Sequence, residues 1–430
     1  MNTMVWGINF APEVTGIGPF NTGLCEYLQE RGHQVVMITG FAYYPHWRRL
    51  PGDTGIFRRE VWEKVLVHRC WHYVPGRVST IGRILHEISF VLTSFVRVLT
   101  VPRPDVYVIV MPSLLLGVAG RIAAGLKGRP YVVHVQDLQP DAAVALGMIR
   151  NRWLVRMLYR IETLTYRGAS FVSGISQGML TAFAQKGVPS HRIVYFPNWL
   201  RQFGRNSAFS QSNVISRDQV AAFRRRHSLP LGAFILCYSG NLGRKQGLEL
   251  LIDAAEQLAV SGRSPEEITF LVVGEGAMRD ELVRDVARRK LRNVCFLSLL
   301  PEKEYQLMLR AVDLHVILQI SKTGRYFFPS KLLSILASGS AVLTVSDDES
   351  ELARAVNEGG FGVNLAGVDA RGLAQAVDQL RHREKEMQKY RERSAWVRAF
   401  EAPRVLNDYE RALMIVVEGG SLSATEKGVA

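Results

Sequence analysis

Along this chain, short runs of branched and aromatic apolar residues alternate with longer stretches whose apolar positions recur every three or four residues. The first kind of run reads as a strand buried on both faces, the second as a helix lying over it. Strands are expected at 4–10, 34–39, 65–70, 106–111, 131–136, 171–175 and 193–196, and again at 234–239, 268–273, 294–297 and 314–318. Helices are expected at 20–31, 81–100, 247–260, 278–289, 303–311 and 331–337, followed by a charged helical run over 370–413. Apolar strands separated by helices predict open, mostly parallel sheets. The rhythm fails between 201 and 230, where Ser, Asn, Gln and Arg accumulate, and then restarts. The chain therefore reads as an α/β protein of two Rossmann-like domains, 1–200 and 231–395, joined by a linker at 201–230. A helix at 396–416 is expected to return to the first domain, and the small, polar tail 417–430 to be disordered. Two such domains in succession imply a deep cleft between the carboxyl ends of their sheets, where open α/β sheets bind ligands.

The 430 residues, 47% of them hydrophobic, suffice for large cores. A formal net charge of +14 favours an anionic partner without choosing among nucleic acid, membrane and phosphorylated substrate. Cys25, Cys70, Cys237 and Cys295 lack C-x-x-C spacing, which indicates neither a disulfide framework nor a zinc site and fits a reducing cytoplasm. No basic leader with an apolar core precedes the first expected strand, so export is not expected. The apolar stretch 106–120 is broken by Pro112 and Ser113 and is too short to span a bilayer. Residues 81–100 mix Ile84, Leu85, Leu92 and Val96 with Arg83, His86 and Arg97. Such a helix either packs its apolar stripe on the core or lies on an anionic membrane surface.

The first strand leads to Gly16-Ile17-Gly18 and then to a helix. Without Cβ atoms, backbone amides approach a ligand closely, and the helix brings its positive end to the same spot, which suits a phosphate or polar sugar. A dinucleotide fingerprint is excluded, because Gly-x-Gly-x-x-Gly from Gly16 needs glycine where Asn21 stands. A plain strand-to-helix turn uses the same glycines.

In the first half stand Asn9-Phe10-Ala11-Pro12-Glu13 leading to Gly18, Glu30-Arg31-Gly32-His33-Gln34-Val35, Tyr43-Tyr44-Pro45, and His134-Val135-Gln136-Asp137-Leu138-Gln139-Pro140-Asp141-Ala142. In the second stand Tyr238-Ser239-Gly240-Asn241-Leu242-Gly243-Arg244-Lys245-Gln246-Gly247-Leu248, Val273-Gly274-Glu275-Gly276 and Pro329-Ser330-Lys331-Leu332. In this order the strings resemble the retaining, GT-B-fold glycosyltransferases of the glycogen-synthase-like group, particularly bacterial enzymes of colanic acid and related exopolysaccharide synthesis.

The resemblance implies transfer of a sugar from a nucleoside diphosphate sugar with the anomeric configuration kept, without a cofactor or a bound metal. Retention in this group is described as front-face attack, the leaving phosphate helping to take the acceptor proton. The departing diphosphate develops negative charge, so preorganised donors must meet it. Arg244 and Lys245 supply cations after the strand at 234–239, Arg as a planar fork and Lys as a point charge. Ser330 and Lys331, at the start of a helix, form a second half of the cradle. Gly274 lets the nucleotide lie on its loop while Glu275 accepts hydrogen bonds, although a plain turn is an equal reading of those two. Gly16, Gly18 and Asn241 complete the expected donor-binding set. His134 matches a histidine beside the reacting sugar and is the leading catalytic-site residue, with Asp137 in a supporting role. A hydrogen-bonded core histidine is the alternative. Many members carry two glutamates seven residues apart that touch donor sugar and ribose, whereas this chain has Tyr326 and Ser334 there.

These readings converge on a cytoplasmic hexosyl- or deoxyhexosyltransferase, peripheral at the inner face of the plasma membrane. Its expected partners are a nucleotide sugar donor, a polyprenyl-diphosphate-linked saccharide acceptor and an anionic membrane surface. A sugar-nucleotide epimerase of the same fold is the alternative enzyme, distinguished by consuming donor without acceptor. A non-catalytic protein that binds anionic surfaces is the alternative of another class. Nucleic acid is not an expected partner, because Arg224-Arg225-Arg226 is the single tight basic cluster.

Overall fold

The computed structural model describes residues 1–77, 79–145, 149, 151–200, 216–320, 331–420 and 422. The chain folds into two units, Met1–Trp199 together with Ala402–Ala430, and Leu200–Glu401. Among the described residues the first unit holds eight strands: β1 (Asn2–Trp6), β2 (Gln34–Gly40), β3 (Phe57–Trp62), β4 (Val65–Cys70), β5 (Val106–Met111), β6 (Tyr131–Val135), β7 (Val172–Gly174) and β8 (Ile193–Tyr195). They line up as β3-β4-β2-β1-β5-β6-β7-β8, parallel throughout except for β3, which runs antiparallel to β4. The apolar pattern misses β3 because this edge strand carries three charged residues in a row, Arg58-Arg59-Glu60, between Phe57 and Val61-Trp62. The first strand is shorter than expected and ends at Trp6, after which residues 7–17 form a loop.

The second unit holds β9 (Phe234–Ser239), β10 (Ile268–Val273), β11 (Val294–Leu297), β12 (Leu314–Leu318), β13 (Val342–Val345) and β14 (Gly362–Leu365). Their order is β11-β10-β9-β12-β13-β14, all parallel. Strands β13 and β14 are not among the elements expected from the sequence. Part of the stretch read as linker is a folded helix, Arg217–Arg226. Ser216 and Gln219 close a capping box on it, and Phe223 is buried in the core. Residues 201–215 and most of the tail lie outside the described residues.

The helix Ala402–Val417 belongs to the first unit. It sends Val405, Leu406, Tyr409 and Leu413 into one cluster with Phe20, Leu24, Phe196 and Trp199. Tyr409 stacks on Phe196 with ring centroids 3.7 Å apart, and the buried Glu410 carboxylate accepts from Tyr27 Oη, Arg31 Nε and His33 Nε2. The helix Thr80–Thr100 buries His86, Phe90, Ser94 and Val98 and still leaves Ile81, Ile84, Leu85, Leu92, Val96 and Leu99 exposed. Among the described residues no helix is long and apolar enough to cross a membrane.

Strand order decides where ligands can lie. In each sheet the order in which strands are added reverses at the first strand: β1 sits between β2 and β5, and β9 between β10 and β12. The loops leaving such switch points open a crevice at the carboxyl edge. The Gly16 and Gly240 loops leave from those two strands.

Candidate functional site

In the second unit, β9 and β10 are neighbours, so their glycine loops run side by side and are laced together. The Gly240 N–H donates to Val273 O, the Leu242 N–H to Glu275 O and the Met278 N–H to Leu242 O, each at 2.9 Å. This approach requires glycine: at Gly274, with φ of 146°, a Cβ would fall 1.9 Å from Gly240 O. The lacing leaves other amides over, because among the described residues the N–H groups of Asn241, Gly243 and Gly276 have no acceptor. Lys331, first residue of the helix Lys331–Ala337, lays its Nζ over the Tyr238 ring, 3.8 Å from the centroid, and beside Gly240. Burial of the amine pulls its pKa down to about 7. Tyr238 Oη in turn donates to Asn241 O at 2.9 Å, tying the aromatic platform to the loop.

Asn241, Gly274 and Lys331 thus come together around Gly240. Arg244 does not join them: it stands on the 3₁₀ turn Arg244–Gln246 with its side chain 83% exposed and Nη2 3.8 Å from Glu281 Oε2. The Glu275 carboxylate lies 3.7 Å from Arg279 Nε, and its main-chain carbonyl takes the Leu242 N–H. The Lys245 backbone lies in the same 3₁₀ turn, whereas Tyr326 and Ser330 fall outside the described residues. Ser334 is half-buried on the helix Lys331–Ala337.

In the first unit, the Gly16 loop is held by a residue that the sequence did not single out. Buried Glu13 accepts the Tyr43 and Tyr44 N–H groups at 3.0 Å and Asn9 Nδ2 at 2.9 Å. Burial raises its pKa in spite of these bonds. Gly16, with φ of 68°, lies against the Tyr44 ring, where a Cβ would stand 3.2 Å from Cε1. A Gly18 Cβ would stand 3.0 Å from Glu13 Cβ. Asp137 acts on the same tyrosine through its charge: burial first, then the charges of Glu13 and Asp137, push the Tyr44 phenol up. Glu13 and Tyr44 stand in the strings that carry the resemblance, but a glutamate inside a loop leaves no trace in an apolar pattern, so their role in holding the Gly16 loop emerges only in three dimensions.

His134 lies inside the first unit, not on an open face. It pairs in register with Ser173 of β7 and is 2% exposed. Its Nδ1 is 3.1 Å from Ser173 Oγ and its Nε2 2.8 Å from Gln136 Nε2, with the ring edge-on to Phe196. Burial pushes its pKa down to about 3. Because the Gln136 amide nitrogen can only donate, the bonding pattern assigns the imidazole proton to Nδ1.

The one basic cluster in the sequence is likewise taken apart. Arg224 is buried, donating to Ala311 O, Leu231 O and Ala233 O and pairing with Asp313, while Arg226 pairs with Glu304. A cavity of about 320 Å³ beside the hairpin β3–β4 is lined by Pro12, Asp53, Arg58, Glu60, Trp62 and Arg69. Its charges pair internally, Arg58 with Asp53 and Arg69 with Glu60, so it offers no surplus cation to an anionic donor. Among the described residues no group of three or more His, Cys, Asp or Glu side chains could hold a metal ion.

The family of glycosyl transferase 4-like domains matches residues 15–199, and the family of group 1 glycosyl transferases matches residues 219–395. An Escherichia coli K12 protein, WcaI, named for a glycosyl transferase role in colanic acid biosynthesis, is 32% identical over 357 residues, covering 82% of this chain and 85% of its own. The chain belongs to the group 1 glycosyltransferases. This transferase is similar in fold to Anabaena HepE, solved in complex with UDP-glucose, with a TM-score of 0.69 at 15% identity over 96% of this chain and all of that one. It is also similar to WaaG, a glycosyltransferase involved in lipopolysaccharide biosynthesis, with a TM-score of 0.67 at 16% identity over 97% of this chain and all of that one. Its fold is accordingly GT-B, built from two Rossmann-like domains.

Proposed function

We propose that this glycosyltransferase moves a sugar from a nucleoside diphosphate sugar, with retention and without a cofactor or a resident metal, onto a polyprenyl-diphosphate-linked saccharide in the assembly of a surface polysaccharide. The observation that carries the donor half is the Gly240 loop, where amides without acceptors meet a cation on an aromatic platform. Charge that develops on a departing diphosphate is met there by donors already in place. In the proposal Asn241, Gly243 and Lys331 hold the diphosphate, and Arg244 and Lys245, on the turn that follows, close on it once it is seated. Gly274 and Glu275 border the nucleotide. The Gly16–Gly18 loop and Asp137 border the sugar. The kinship with the colanic acid relative, and UDP-glucose in a protein of the same fold, support a nucleotide sugar and a polysaccharide product.

The acceptor half rests on the first unit's surface. The helix Thr80–Thr100 packs on Leu114–Lys127, which packs on Arg152–Gly168. These three helices expose Leu85, Leu92, Val96, Ile122, Leu126 and Trp153, with Arg152, Arg156, Arg160 and Arg167 exposed on the third. Apolar residues interspersed with arginines suit the headgroup layer of an anionic membrane, where a lipid-linked acceptor resides, and support the reading of an enzyme peripheral at the cytoplasmic face. The test is incubation of the full chain with a panel of nucleoside diphosphate sugars and polyprenyl-diphosphate-linked saccharides, read by mass spectrometry. The expected product is the acceptor lengthened by one sugar with the donor's configuration kept. Unchanged acceptor across the panel contradicts the proposal, and donor converted to an epimeric sugar without acceptor favours the epimerase.

A further inference from the structure

His134 takes part in a buried relay whose end is not His134. Ser173 Oγ donates to Val133 O at 3.3 Å, the His134 Nδ1–H donates to Ser173 Oγ, and His134 Nε2 is left to accept from Gln136 Nε2. The other hydrogen on Gln136 Nε2 points to Asn198 Oδ1 at 3.3 Å. Both hydrogens of that amide are therefore committed, which fixes the side chain and orients its carbonyl. Among the described residues Gln136 Oε1 has no donor, and it does not number among the buried polar atoms left without a partner. The residue is 5% exposed, and its Oε1 is the acceptor left over at the end of a chain of bonds running from the core. Gln136 directly follows β6 at the carboxyl edge of the sheet and directly precedes Asp137, whose charge acts on Tyr44, the ring that lies against Gly16.

We infer that Gln136 contacts the saccharide, its Oε1 accepting a sugar hydroxyl, and that His134 is a positioning residue acting through Gln136. The inference rests on the proposed transfer reaction. A single carbonyl held by two donated bonds accepts a hydroxyl in one direction, whereas a free glutamine would lose rotamer freedom on binding. His134, neutral and without a face toward the substrate, neither gives nor takes a proton in the reaction.

Steady-state kinetics of the full chain test this with Gln136→Leu, His134→Phe and the double variant. Gln136→Leu is expected to lower kcat/KM on the order of 10- to 100-fold, as for a lost substrate hydrogen bond. His134→Phe keeps the ring packing on Phe196 and is expected to lower it too. The double variant should be no worse than Gln136→Leu alone, because a residue acting only through Gln136 has nothing left to act on. If the hydroxyl belongs to the transferred sugar, hydrolysis of the donor without acceptor falls in step. If it belongs to the acceptor, acceptor KM rises while that hydrolysis persists. Gln136→Asn, which keeps the amide but retracts it by about 1.5 Å, should also be impaired. Full activity of Gln136→Leu or Gln136→Asn overturns the contact, and additive losses in the double variant overturn the positioning role of His134. A wild-type chain that extends no acceptor overturns the transfer reading and this inference together, and it is recognised by the inactivity of the wild type itself.

Discussion

At Lys331 burial and binding oppose each other. The amine sits over Tyr238 with its pKa pulled to about 7, so above neutrality the free protein holds it largely uncharged. A diphosphate favours the charged form and must draw a proton in as it binds. Affinity for a nucleoside diphosphate sugar is therefore expected to fall as pH rises from about 7 to 9, by up to tenfold per unit. Calorimetry at pH 8 in buffers of unlike ionisation enthalpy should register proton uptake, and Lys331→Met should abolish both effects; affinity flat across that range would contradict the role. The sequence made Lys331 visible through its place after Pro329-Ser330, but not its burial, which comes from Tyr238 nearly a hundred residues earlier. At His134 the reverse holds. The residue type invites a catalytic reading, yet the register of β6 on β7 turns it onto Ser173 and leaves the strand end to Gln136. Register is a long-range property that local pattern does not contain.

Among the described elements all but three strands were legible, because a strand covered on both faces must be apolar throughout, whereas helices such as Arg152–Gly168, Gln177–Gln185 and Glu351–Gly359 were not expected. The exceptions, β3, β13 and β14, are a charged edge and two four-residue strands. The helix Thr80–Thr100 illustrates what pattern leaves open: one apolar stripe packs and a second faces out, so the core reading and the surface reading both find residues to support them. Replacing Leu85, Leu92 and Val96 by serine should cut co-sedimentation with vesicles containing phosphatidylglycerol at least tenfold, while the melting temperature stays within a few degrees. Unaltered co-sedimentation would remove this helix from the docking surface. The helix Ala402–Val417 carries a stability prediction of its own. Burial alone would raise Glu410, but bonds from His33 and Tyr27 and the charge of Arg31 hold it below its ordinary 4.5. A carboxylate held low stabilises the fold fully above its unfolded value, and that stability is lost as pH falls through the folded value. Glu410→Ala should cost about 2 kcal/mol in denaturant unfolding at pH 7, and the difference from wild type should shrink on acidification below 4.5. A pH-independent difference would assign the loss to packing alone.

At the scale of the whole molecule, the doubled βα alternation and the break near 201 give away two Rossmann-like units, and both switch points follow from strand order alone. What the sequence could not order is which of its many polar loop residues converge. Asn241, Gly274 and Lys331 meet only because β9 and β10 are neighbours and the helix after β12 returns beside them. The central claim is that this convergence receives the diphosphate of a nucleotide sugar. Amide hydrogen exchange of the full chain, with and without a nucleoside diphosphate sugar, tests it most directly. The account predicts slowed exchange at 240–243 and 274–276 on binding, diminished in Lys331→Met. Bound nucleotide that leaves exchange at both loops unchanged would contradict it.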